Sequence, residues 1–393
     1  VSEAQLHRHT PRRLTVLLPV VALVVLAGCG LTLLALSTAR VGLVAELVGV
    51  GAALLPVGPV VAAFLWVDRW EPEPAKLLWS AFAWGACGAT ITALLINNTA
   101  EAVGDLLLGQ GNGDKLSAVV SAPLFEEAAK GVFILGVYLF LRTEFDGVID
   151  GIVFAGFTAA GFAFTENIYY FGRAFSDYGF GDSTSPGVIA AFVLRGLLSP
   201  FTHPLFTVMI GIGIGVAART TSARTRVLAP IAGYVAAVLL HATWNASATL
   251  GTASTFLGVY FLLMVPLFGS VLWLVGWHRK REQRVIAAAL PAMVESRWIL
   301  PSEVEALASL HGRKEWRARV RRRNGRQAAA AVEEYQAAVS ELAFLWHAMA
   351  VGTAGPAGPA HETKLISVLK QARKRAVQAS AHRDREPGSS VSA

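Results

Sequence analysis

Eight apolar runs, each long enough to cross a bilayer, constrain this chain more than any other feature. A membrane span needs about 20 predominantly apolar residues to cover roughly 30 Å of hydrocarbon. Runs of that kind occupy 14–36, 42–67, 76–98, 117–141, 147–171, 187–218, 227–249 and 253–277. In lipid every backbone polar group must be satisfied within the protein, so consecutive runs of this length predict helices. The expected fold is therefore an all-α, polytopic membrane protein of eight transmembrane helices. Composition agrees: 16% of the 393 residues are charged and 54% hydrophobic, where an ordinary soluble chain has about 25% charged. Pro56 and Pro59 in the second run, and Pro200 and Pro204 in the sixth, predict kinks.

Lys and Arg near the span ends set the expected orientation. With a cytoplasmic N-terminus, the inner segments hold 13 of them, while the outer loops hold three, Arg40, Lys115 and Arg173. An even number of spans then places both ends in the cytoplasm. Leu26-Ala27-Gly28-Cys29 matches a bacterial lipobox, but the apolar run continues through Leu36, which favours an uncleaved first span.

The expected organisation is a cytoplasmic N-terminus over 1–13, a membrane domain over 14–277, a basic helical cytoplasmic extension over 278–350, and a linker with a disordered tail over 351–393. One short basic helix is expected near 363–378. Between 279 and 326 there are 13 Lys/Arg and five Asp/Glu, more excess charge than the whole chain's +7. Such a segment beside a membrane suits anionic lipid headgroups. No recognition module accompanies it, so nucleic acid is not an expected partner. Two cysteines, without metal-finger spacing, exclude a disulfide-stapled scaffold.

Charge at bilayer depth is costly and usually functional. The fourth run contains Glu126, Glu127 and Lys130, the fifth Glu166 and Asn167, the sixth Arg195 and His203, and the seventh His241 and Asn245. Glu126 and Lys130 are four residues apart and share a helix face, whereas Glu127 points about 100° away. One glutamate paired with Lys130 leaves the other available as a general base for hydrolysis. His241 and Asn245 also share a face, where one can orient a reacting group and the other donate to an oxyanion. Arg195 reads as the partner of a buried carboxylate. Counting at about 1.5 Å per residue puts Glu127 roughly 15 Å below the outer surface, His241 about 14 Å, Glu166 about 8 Å and His203 nearer 23 Å. Gly147, Gly151, Ala155, Ala159 and Ala163 recur every four residues and lead to Asn167, a small-residue stripe that lets helices approach closely.

Together these fragments resemble the PrsW family of intramembrane proteases, which is similar to the wider CAAX-protease and bacteriocin-processing group. The resemblance rests on Asp68-Arg69-Trp70-Glu71-Pro72-Glu73-Pro74, on Glu126-Glu127-x-x-Lys130 and on Phe162-x-x-x-Glu166-Asn167. It continues with His203-Pro204 and His241-x-x-Trp244-Asn245, and covers roughly 40–280. It implies a multi-pass protease of the bacterial cytoplasmic membrane that cuts a membrane-anchored protein, an anti-sigma factor in known cases, on the extracytoplasmic side. Carried over, Glu126 and Glu127 fall on the family's essential glutamate pair, with His241 and Asn245 completing the catalytic set. Lys130, Glu166, Asn167 and Arg195 support it. The Asp68–Pro74 segment reads as a turn that fixes the start of the third span.

Two versions of the implied mechanism stay open. In one, His203, His241 and Glu127 bind a divalent metal, zinc being favoured. In the other, glutamate and histidine act without metal. Two further classes compete with a protease: a proton- or ion-coupled transporter, which would also carry buried carboxylates, and a non-catalytic scaffold or sensor worked by the basic extension. No internal repeat between 14–141 and 147–277 favours the transporter.

Overall fold

The computed structural model describes residues 14–70, 72–142, 144–145, 147–181, 186–354 and 358–381. The expected segments 1–13 and 382–393 lie outside the described residues. Among those described, the fold is all-α, with no strand. The membrane helices are α1 (Leu14–Val41), α2 (Leu43–Val67), α3 (Ala75–Leu108), α4 (113–140), α5 (Val148–Tyr178), α6 (Val188–Ala218), α7 (Ala223–Thr249) and α8 (Ala253–Glu295). Among the described residues, seven of these are long and apolar enough to cross a membrane. The eighth, α4, departs from that pattern because it carries Glu126, Glu127 and Lys130. Its 28 residues reach roughly 40 Å, and the three ionisable side chains point inward, each at most 5% exposed.

The chain divides into two compact units. The first comprises 1–64, 74–218 and 225–266, and α5 is its central helix: 83% of its apolar window is buried, against 11% for α7. Small residues make this possible, because helix association in lipid depends on close packing. A Cβ added to Gly151 would lie 2.1 Å from the Gly211 carbonyl oxygen of α6, and one added to Gly211 would lie 2.1 Å from that of Gly151. Ala155 of the same stripe also meets Gly211. On another side of α5, Gly161 lies against Phe82 and Gly85 against Thr158, so that α3 packs equally close.

Irregular turns sit where these helices meet. Residues Trp84–Ala89 form a π-helical turn in α3, Ser117–Ser121 one in α4, and Val193–Leu198 one in α6. Such turns re-aim side chains and often mark functional positions. In α6 the turn is followed by a break at 199–201, and the helix resumes at Thr202 with Pro204 in its first turn, where no N–H is needed. In α2, by contrast, the helix runs unbroken through Pro56 and Pro59.

The second unit comprises 65–73, 219–224 and 267–393. A short helix, α9 (Val304–Leu307), precedes α10 (Leu310–Ala350), which folds back at Gly325. That residue has φ 88°, a left-handed conformation that glycine adopts at least cost. The last helix is α11 (Gly358–Ala381). Ile286, Leu307, Val332, Leu342 and Leu369 share one core and are fully buried. Two expectations are refined here. The short basic helix expected near 363–378 is α11, which reaches further into the segment expected as linker and disordered tail; its Leu365, Leu369, Ala372 and Ala376 fill this core at the three- and four-residue spacing of one helix face. The Asp68–Pro74 segment is more than a turn: Trp70 is buried in the same core, beneath the guanidinium of Arg313 at 4.9 Å.

The α5–α6 contact makes a direct prediction. Gly151→Leu is expected to lower the stability of the detergent-solubilised protein by about 1–3 kcal/mol through overpacking. Gly136→Leu, where an added Cβ meets nothing within 4 Å, is expected to be nearly neutral. Thermal melting of the two variants checks this, and equal midpoints would contradict the packing described.

Candidate active site

Four helices of the first unit bring their polar side chains to one place. Glu126, Glu127 and Lys130 come from α4, Glu166 and Asn167 from α5, Arg195 and His203 from α6, and His241 from α7. Glu127 and Lys130 are 0% exposed, His241 2% and Glu126 5%. At such burial each polar atom needs a partner, so tracing the partners yields the chemistry.

Glu127 is engaged at both oxygens. Its Oε1 accepts from Lys130 Nζ at 2.8 Å and lies 3.1 Å from His241 Nδ1, while its Oε2 accepts from Thr207 Oγ1 at 2.8 Å. Glu166 is similarly engaged: Arg195 Nη2 donates to its Oε2 at 2.6 Å, and His203 Nε2 stands 2.8 Å from the same oxygen. Arg195 Nε also donates to Asn167 Oδ1 at 2.8 Å, and the guanidinium lies 3.9 Å over the Tyr170 ring. Glu126 differs. Asn97 Nδ2 donates to its Oε1 at 3.2 Å, but its buried Oε2 has no hydrogen-bond partner.

These bonds decide the tautomers. A carboxylate paired with a cation only accepts, so the imidazole nitrogen facing it carries the proton. His241 therefore donates through Nδ1 to Glu127 and presents a lone pair at Nε2, 3.9 Å from Glu126 Oε2. His203 donates through Nε2 to Glu166 and presents a lone pair at Nδ1, 3.2 Å from Lys130 Nζ. The two rings stand edge to face with centroids 5.3 Å apart, and His241 stacks on Phe206.

Glu126, His203 and His241 thus each offer a ligand atom, all within 4.8 Å of one another. Two histidines, each held at its other nitrogen by a carboxylate, and one orphaned carboxylate oxygen form a donor set that suits a divalent cation such as zinc. Glu127, expected as a ligand, is not a member of this trio. Glu126 stands in its place.

Asn245 has a structural contact as well. Its Nδ2 donates one N–H to the Ala118 carbonyl at 2.8 Å, in the π-helical turn of α4, and so fastens α7 to α4. His203 was counted too deep. It contacts Glu166 because the π-turn and the break at 199–201 shorten the path from the start of α6.

Three contributors were not singled out from sequence. Asn97 holds Glu126 and is itself held by Ser121 Oγ, which donates to its Oδ1 at 2.9 Å. Thr207 lies four residues after His203 on the same face, and that spacing was its only signal. Trp84 Nε1 donates to the Ala129 carbonyl at 2.9 Å and ties α3 to α4 beside the site. A cavity of about 420 Å³ adjoins this cluster, with His203, Arg195, Asn167, Tyr170, Trp244 and Phe256 on its wall.

The model of a family described as "PrsW family intramembrane metalloprotease" matches residues 73–271, which hold every residue of the cluster. "Protease PrsW" of Bacillus subtilis is 26% identical over 237 residues, covering 60% of this chain and 96% of the relative. Its namesake in Geobacillus kaustophilus is 28% identical over 168 residues, 43% of this chain and 66% of the relative. No solved structure matches. With the family model spanning half of the chain and the polar cluster lying inside it, this chain belongs to the PrsW family of intramembrane proteases.

Proposed function

We propose that this protease hydrolyses a peptide bond of a membrane-anchored protein at the Glu126–His203–His241 cluster, on the extracytoplasmic side of the bacterial membrane. The observation that carries the reading is the convergence of three residues from α4, α6 and α7, each offering a ligand atom, one of which, His203, lines a cavity large enough for a stretch of extended polypeptide. The excess of Lys and Arg on the inner segments supports the assignment of sides. An anti-sigma factor is the substrate class the family suggests. The exposed Lys314, Arg319, Arg321, Arg322 and Arg326 of the second unit suit anionic lipid headgroups.

Glu126 is the reactive carboxylate in this reading. Asn97 fixes one oxygen, and the other can either take the proton of an attacking water, which the leaving amine later receives, or hold a cation, but not both at once. Glu127 and Glu166 serve as orienting groups, balanced by Lys130 and Arg195, and they aim the histidine lone pairs inward. Glu126, His203 and His241 are the residues that would hold a divalent cation. When bound, zinc would polarise the scissile carbonyl and acidify water. Arg195 and Asn167 border the cavity, where the substrate backbone would lie.

Two experiments test this. Co-expression with tagged single-span proteins is expected to yield a fragment cut near the outer membrane face. Glu126→Gln is expected to reduce that cleavage by about 10²–10⁴-fold, the usual worth of a general base. Wild-type cleavage surviving unchanged in Glu126→Gln would exclude the assignment. For the metal, purified protein is expected to carry about one zinc per chain, lost in Glu126→Gln, His203→Ala and His241→Ala but kept in Asn245→Ala. Elemental analysis after dialysis reads this directly. Loss in Asn245→Ala with retention in His203→Ala would refute the ligand set.

A further inference from the structure

One side chain stands where a cation at this site would have to compete. Lys130 is 0% exposed, and its Nζ lies 2.8 Å from Glu127 Oε1, 3.7 Å from Glu126 Oε2 and 3.2 Å from His203 Nδ1. Two of these three residues, Glu126 and His203, belong to the trio that suits a divalent cation. The imidazole of His203 has no second lone pair to offer, since its Nε2 faces Glu166. A divalent ion on Nδ1 therefore takes the atom that now accepts from the ammonium.

We propose that Lys130 is a built-in competitor for the divalent cation of this site, its ammonium and the cation exchanging on Nδ1 of His203. The inference rests on the reading of Glu126, His203 and His241 as a cation-holding trio, and it adds a residue that sets how tightly the trio holds. The exchange is feasible because Lys130 keeps other partners when it releases His203. Glu127 remains at 2.8 Å, and the face of Phe162 lies 4.0 Å from Nζ. A buried ammonium left without partners would be prohibitively costly; this one is not left without them. Repulsion between the ammonium and a divalent ion in a low-dielectric interior acts in the same direction.

When no divalent cation is bound, the ammonium would hold Glu126, Glu127 and His203 together by its own charge. The site is thereby pre-assembled, at some cost to its affinity for metal. Nothing in the arrangement needs His241 to move, since its Nδ1–H stays on Glu127 and its Nε2 has no competing donor within hydrogen-bond distance.

The test is zinc affinity, measured on the detergent-solubilised full chain by competition with a chromophoric chelator. Lys130→Gln is expected to bind zinc about 10–100-fold more tightly than wild type, the range over which groups around a ligand shell tune affinity. Lys130→Arg, which keeps charge and donors, is expected to stay near wild type. A loss of negative-charge compensation alone could also tighten binding, so Glu127→Gln/Lys130→Gln is compared with Glu127→Gln. The gain on removing Lys130 is expected to persist there, and its disappearance would overturn competition at the lone pair. Lys130→Met, of similar length and without donors, provides the same comparison if the glutamine variant does not fold. Zinc bound equally by wild type and Lys130→Gln would overturn this inference alone. Zinc bound by neither would overturn the trio and this inference with it.

Discussion

A lysine ammonium with no exposure to solvent is the constraint from which the rest of the site follows. Charge is tolerated in such an interior only when it is paired and hydrogen-bonded. Lys130 meets this requirement with Glu127 on its own helix and His203 from α6, over the face of Phe162 from α5. Satisfying one ammonium thus requires three helices at fixed separation, and Glu127 in turn recruits α7 through His241. The close glycine contact between α5 and α6 is the packing that permits this, because a single added methyl group at Gly151 would collide with backbone. Backbone proximity and charge pairing are two aspects of the same assembly.

The polar groups are then divided by role. Glu127 and Glu166 each accept from a cation and from an imidazole, which fixes both histidine tautomers and turns the remaining lone pairs toward Glu126. Glu126 has a buried oxygen with no hydrogen-bond partner. Adjacent glutamates in one helix therefore have different duties because they point about 100° apart: one into the Lys130–Thr207–His241 cage, the other toward Asn97 and the trio. The second unit is built on another principle, an apolar core closed by Trp70 and by the buried Arg313, whose guanidinium donates to the Leu307 and Gln336 carbonyls and to Ser340 Oγ.

Much of this was legible in the sequence, and the gaps have physical causes. Run length and apolarity identify the helices because the bilayer leaves the backbone no other option. Glu126, Glu127, Glu166, His203 and His241 were conspicuous as ionisable residues in apolar runs. What pattern could not supply was connectivity between helices. Whether Glu126 or Glu127 joins the histidines depends on which way each carboxylate turns. The i, i+4 spacing places Asn245 with His241, but it could not show that one of its N–H groups bonds Ala118 of another helix. Depth by counting failed for His203, because counting assumes a straight helix and α6 is not one. The helix Gly358–Ala381 was legible only in part, as a short basic helix near 363–378, because its composition is mixed and its apolar stripe has meaning only against the core that it covers.

One carboxylate and two imidazoles, from α4, α6 and α7, come within 4.8 Å of one another, and zinc K-edge X-ray absorption on the zinc-loaded full chain reads whether they share one ion. Two imidazole nitrogens are expected at about 2.0–2.1 Å with a carboxylate oxygen at about 2.0–2.2 Å, and a spectrum that loses one imidazole in His203→Ala. A shell containing sulfur, or one with a single imidazole unchanged in His203→Ala, would contradict it.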